Sequence, residues 1–190
     1  MYRILAPAAL IGMLAAAAPA GAAPSPAAVG LRPGDLPPGF VLSFEHDMTI
    51  AGVARHDGRS AAHKAGAGFL LGHDADFTRR AGTGLREIAT QIEVYTSAAT
   101  LRGTFVADLK AAAGVLATYH AVAVRGLGTE GRAYRTTAAT ARGASTEYLF
   151  IFRRGVYLAY VFVFGDARTT LARTLAYPKL VDARIEAASR

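Results

Sequence analysis

Between Tyr148 and Phe164 the chain reads YLFIFRRGVYLAYVFVF, two apolar runs around Arg153-Arg154-Gly155. Aromatic and β-branched residues favour strands, and the runs hold little else, so the segment is expected to be the central hairpin of an antiparallel sheet. A two-residue loop centred on Arg154-Gly155 would force Arg154 to positive φ, which costs a residue with a Cβ. A three-residue loop places only Gly155 in the left-handed region, as a type I turn with a bulge, and is the favoured expectation. Phe152 then faces Val156 and Tyr148 faces Tyr160. That register puts Tyr148, Phe150, Phe152, Leu158, Tyr160 and Phe162 on one face and Leu149, Ile151, Tyr157, Ala159, Val161 and Val163 on the other. Both faces are apolar, whereas a sheet with one wet face alternates with polar residues. The hairpin therefore demands cover on both sides.

The expected fold is α+β: an antiparallel sheet of five to six strands, with two helices on one face and a short helix and linker on the other. Val41–Met48 alternates weakly. Phe69–Phe77 and Leu85–Tyr95 alternate better, the latter with Ile88, Ile92 and Val94 inward and Glu87, Gln91 and Glu93 outward. Thr96 or Ser97 can cap a helix to about Ala113, seated through Leu101, Phe105 and Leu109. Ser60–Ala65 forms a short helix, Ala121–Val124 a short extended piece and Arg132–Thr140 a strand. Asp166 is expected to cap the last helix, and Pro178 to break it near Tyr177. Strand–strand–helix order recurs around Tyr95 and Phe164, suggesting a structural pseudo-repeat.

Residues 1–22 read as a signal peptide. Arg3 precedes an apolar, alanine-rich run, and small residues surround Ala20-Gly21-Ala22. The run is shorter than a membrane span needs and Pro7 interrupts it. Residues 23–38 form a linker, and residues 39–190 a single domain. The expected location is secreted or extracytoplasmic, with no transmembrane segment once the leader is cleaved. There is no cysteine, which excludes disulfides, thiolate metal sites and cysteine nucleophiles. The formal charge of +7 is scattered, with Arg79-Arg80 and Arg153-Arg154 as doublets. Such a surface favours anionic envelope polymers or another envelope protein, without pointing to specific nucleic-acid binding.

The chain contains no recognisable catalytic set. No serine lies in G-x-S-x-G. Gly126-Leu127-Gly128-Thr129-Glu130-Gly131 matches the dinucleotide pattern, but a strand follows where a helix is required, so it reads as a glycine turn. His-Asp occurs at His46-Asp47, His56-Asp57 and His73-Asp74. Neighbours on a strand point to opposite faces, so neither strand pair chelates one ion, and no metal or cofactor is expected. His73, Asp74 and Asp76 are the polar candidates for a site. His73 shares a face with Ala75 and Phe77, and Asp74 and Asp76 lie on the other.

Leu36-Pro37-Pro38-Gly39-Phe40, Gly126-Leu127-Gly128 and Phe152-Arg153-Arg154-Gly155, followed by the helical tail, together resemble a loose class of bacterial exported proteins. The resemblance spans Leu31 to Ser189 and implies a PsbP-type three-layer sandwich and export. It supplies no catalytic residues. The functional expectation is an exported, non-enzymatic binding or interaction domain of the bacterial cell envelope. The alternative is a secreted hydrolase whose site forms only in three dimensions.

Overall fold

The computed structural model describes residues 25–56, 58–80, 83–115, 117–140 and 143–190. The expected leader lies outside them. One antiparallel sheet of seven strands organises the chain, in the order β1-β2-β3-β7-β6-β5-β4. The strands are β1 (Val41–Met48), β2 (Phe69–Thr78), β3 (Leu85–Tyr95), β4 (His120–Val122), β5 (Glu130–Thr140), β6 (Gly143–Arg154) and β7 (Tyr157–Asp166). The sheet exceeds the expected five to six strands because both weak segments, β1 and β4, pair at its edges. Hydrogen bonding to a neighbouring strand settles what faint alternation leaves open.

The central hairpin forms in a different register from the expected one. Arg154 pairs with Tyr157, leaving Gly155-Val156 as a two-residue loop. Gly155 has φ +56°, and no residue other than glycine has positive φ among the described residues. Positive φ is thus needed only at the first loop position, the pattern of a type II′ turn, which matches strand twist without a bulge. Tyr148 consequently faces Val163, not Tyr160, and Phe152 faces Ala159, not Val156. A slip of one residue exchanges the faces of a whole strand. Tyr157, Ala159, Val161 and Val163 share the face of Tyr148, Phe150 and Phe152, while Leu158, Tyr160 and Phe162 join Leu149 and Ile151.

Each apolar face takes its own helix. α4 (Ala98–Val115) seats Leu101 and Phe105, both fully buried, on Leu149, Ile151 and Leu158. α2 (Ile50–His56) and α3 (Gly58–Gly66) cover the same face nearer β2. The opposite face receives α6 (Ala176–Ala188) through Tyr177, Val181 and Ile185, together with the lead-in from α1 (Pro26–Val29) to Phe40. The expectation of two long helices on one face is therefore corrected. Burying both sides of a hairpin apolar throughout requires a layer on each. Arg184 ties the second layer together, donating to Asp35 at 2.7 and 2.8 Å and to the Gly30 carbonyl at 2.6 Å.

Two helix boundaries also differ from expectation. Asp166 caps no helix; its carboxylate accepts from the Gly84 amide at 2.7 Å and the Arg168 amide at 2.9 Å, closing the β3–β7 end of the sheet. α5 (Leu171–Thr174) gives way to α6 at Leu175, and Pro178 lies in the first turn of α6. An amide there has no intrahelical acceptor, so proline is accommodated without a break. The expected Ser97 cap is present, its hydroxyl accepting from the Thr100 amide at 3.1 Å.

Candidate functional site

The His-Asp dipeptides of β1 and β2 meet across the ladder and exchange partners. His46 pairs with Asp74, and Asp47 with His73. Because neighbours alternate, one crossed pair lies on each face of the sheet. On the α6 face, buried His73 lies between two carboxylates, with Nδ1 2.9 Å from Asp47 and Nε2 3.2 Å from Glu45. These contacts to two β1 carboxylates make His73 a fastener of the edge strand. The sequence candidate His73 is thus separated from Asp74 and Asp76 by the thickness of the sheet.

On the α4 face, Asp74 and Asp76 belong to two cross-strand rows. One row runs Phe44, Asp76, Ala89, Phe162; the next runs His46, Asp74, Gln91, Tyr160. Glu87, Phe164 and Glu147 continue the surface toward the sheet end. α4 lies over the β6–β7 side, and α2 and α3 over the end of β1–β3 that carries Met48, Phe69 and Glu93, leaving Phe44, His46 and Glu87 exposed at the other end. Phe44 is 50 % exposed, His46 and Glu87 are exposed, and Asp74, Asp76 and Gln91 are half-buried. Carboxylates and aromatic rings therefore share one uncovered strip. It is acidic on a chain whose formal charge is +7.

Partnership changes along this strip. Glu93, under α3 and fully buried, receives hydrogen bonds from Lys64, from Gln91 Nε2 at 2.5 Å and from the Tyr95 hydroxyl at 2.6 Å. Asp74, on the neighbouring strand, has His46 Nδ1 at 3.8 Å from Oδ2, while its buried Oδ1 has no hydrogen-bond partner. Burial pushes the Asp74 carboxyl up to about 6; His46 opposes the shift, and Glu93 and Asp76 reinforce it. Asp76 is raised by burial against the pull of His46. Glu87 is raised by burial and then by Asp76 and Glu147. At the far margin the Tyr119 hydroxyl donates to Glu147, and burial followed by that bond holds the phenol well above its usual range.

Such a strip can bind a cation. A positive group entering it would favour the ionised forms of Asp74 and Asp76, whose pKa values burial raises, while the rings offer their negative faces. Among the described residues no three histidine or acidic groups could together hold a metal ion. Gly126–Thr129 lies in the turn from β4 into β5, where the Gly128 amide donates to Asp182 at 2.9 Å, and Glu130 and Gly131 begin β5. His56-Asp57 falls partly outside the described residues. Sequence reasoning found Asp74 and Asp76 but missed His46, Gln91, Glu87 and Glu147. Pairing the polar face of β2 with the outward set Glu87, Gln91 and Glu93 would have joined Glu87 and Gln91 to Asp74 and Asp76.

No protein-family model matches the chain, and no curated protein matches it in sequence. Among solved structures, the extracellular domain of PknH from Mycobacterium tuberculosis is similar in fold. The TM-score is 0.53, covering 85 % of this chain and 94 % of that one, at 6 % sequence identity. Likeness at that identity is likeness of fold: mixed α+β on an antiparallel sheet. It does not confirm the PsbP-type likeness drawn from the motifs. Among the described residues no helix is long and apolar enough to cross a membrane.

Proposed function

We propose that the chain is an exported, non-catalytic binding domain of the bacterial cell envelope, taking a cationic group of its ligand on the strip between His46 and Phe162. The observation that carries this reading is Asp74, held at a pKa of about 6 with an unpartnered buried oxygen beside Asp76. A fold gains little from a half-buried carboxylate that has one oxygen without a hydrogen-bond partner and only a long contact to His46 at the other. A ligand cation would offset that cost on binding. Exposed Phe44 and the half-buried rings of Tyr160 and Phe162 supply apolar area for the rest of the ligand. The leader read from the sequence supports export.

The test is calorimetric titration of the full chain with a lysine-rich peptide at pH 7 and low salt. Binding is expected to weaken about tenfold in Asp74→Asn and in Asp76→Asn, each a loss of one charged contact. Equal affinity in wild type and both variants would remove the strip as the site. Cleavage of a glycan, lost in Asp74→Asn while the fold persists, would replace this reading with the hydrolase alternative.

A further inference from the structure

Two sequence features unused by the acidic strip, the Pro37-Pro38-Gly39-Phe40 turn and the Arg79-Arg80 doublet, meet in space. Pro38, Gly39, Val41, Arg79 and Arg80 line an open cleft of about 560 Å³ at the start of β1 and the end of β2. Gly39 has φ +92°, a conformation that side-chain-bearing residues avoid. The stem of Arg79 lies against it: a Cβ at position 39 would stand 3.3 Å from Arg79 Cδ. The Arg79 guanidinium sits 5.6 Å from the centroid of the Phe40 ring and donates through Nη2 to the Thr83 carbonyl. Stacking, backbone contact and hydrogen bond together fix this cation in one wall of the cleft.

Several other arginines are paired with carboxylates. Arg153 pairs with Glu130, Arg154 with Asp182, Arg168 with Asp166 and Arg184 with Asp35. Among the described residues neither Arg79 nor Arg80 has a carboxylate at ion-pair distance. Two adjacent guanidiniums, one of them held in place, face a cleft without a counter-charge.

We infer that this cleft binds a phosphate group, free or carried on a lipid headgroup. The planar guanidinium fork matches phosphate oxygens in two-point contact. Two positive charges balance a phosphate monoester, which carries about −1.5 to −2 at pH 7, and would exceed a single carboxylate. Pro38 and Val41 provide an apolar wall for the carrier.

The experiment titrates inorganic phosphate into the full chain at low ionic strength and follows backbone amide resonances. Saturable shifts are expected at Gly39, Phe40 and Arg80. Arg80→Gln should weaken binding about tenfold, as should Arg79→Lys, which keeps the charge but loses the fork and the stack. Arg132→Gln, four strands away along the sheet, should leave the affinity unchanged. Equal weakening by Arg80→Gln and Arg132→Gln would reduce the effect to general charge and overturn the site, as would the absence of saturable shifts at the cleft. Sedimentation with phosphatidic acid vesicles, whose headgroup is a phosphate monoester, against phosphatidylcholine controls, separates the sources. Vesicle binding lost in Arg80→Gln assigns a lipid headgroup, and phosphate saturation without vesicle binding assigns a free phosphate.

Discussion

The two faces of the β1–β3 side of the sheet come from the same three strands, yet their chemistry is opposite. Toward α6, Ala75, Phe77, Ile88 and Ile92 are 0–2 % exposed. That layer also holds closed pairs, His73 with Asp47 and Arg184 with Asp35. Toward α4, the strands present Asp74, Asp76, Glu87 and Gln91, of which Glu87 is exposed and the others are half-buried. Alternation makes the two faces independent, so one strand can contribute to a core and to a ligand surface at once. The same sheet shows what cover does: Glu93, beneath α3, has a full set of partners, and Asp74 lacks them.

This comparison can be broken by core truncation. Phe150, fully buried on the α6 face, should cost about 3–5 kcal/mol as Phe150→Ala. Phe162, half-buried on the α4 face, should cost about 1–2 kcal/mol as Phe162→Ala. Urea unfolding measures both, and equal costs would erase the distinction between the faces. Charge partners sharpen it. Asp182 is buried and accepts from Arg154 Nε at 2.5 Å, Arg154 Nη2 at 2.9 Å and the Gly128 amide at 2.9 Å. Asp182→Ala should destabilise by about 2–3 kcal/mol, leaving a guanidinium and an amide unmatched.

The open face should respond with the opposite sign. The folded-state pKa of Asp74 lies above its ordinary value of 3.8, so between pH 4 and 6 the native state holds more proton than the unfolded chain. Its stability penalty is absent below the unfolded pKa and complete above about 6. Asp74→Asn should therefore stabilise at pH 7 by about 1–2 kcal/mol, a figure reduced for solvent screening, with the gain gone by pH 4. Thermal unfolding across that range checks it. The smallest effect is expected for His46→Ala, about 0.5 kcal/mol or less, because His46 is exposed and its cross-strand contact is long.

The sheet was readable from β2, β3 and the hairpin because alternation and aromatic runs are local signals. Its edges were fainter: Val41–Met48 alternates weakly and Ala121–Val124 is only a short extended piece, and pairing with β2 and β5 is what fixes them as strands. The hairpin register turned on one glycine. Gly155 permits either a leading or a trailing position in the loop, and only the pairing of Arg154 with Tyr157 decides between them. Helix placement was misjudged because sequence order around Tyr95 and Phe164 carries no information about which face each helix takes. For the site, Asp74 and Asp76 were visible as acids on one side of a strand. The crossed pairing of the two His-Asp dipeptides was not, because it needs the β1–β2 register. His73 was separated from them by that same geometry.

The central claim is that the fold holds an acidic strip in reserve for a cation. Its most direct measurement is the carboxyl titration of Asp74, followed by side-chain carbon resonances in the full chain with and without a lysine-rich peptide. The account expects a midpoint near 6 in the free protein and a fall in that midpoint when the peptide binds. A midpoint at the ordinary 3.8, unmoved by the peptide, would contradict it.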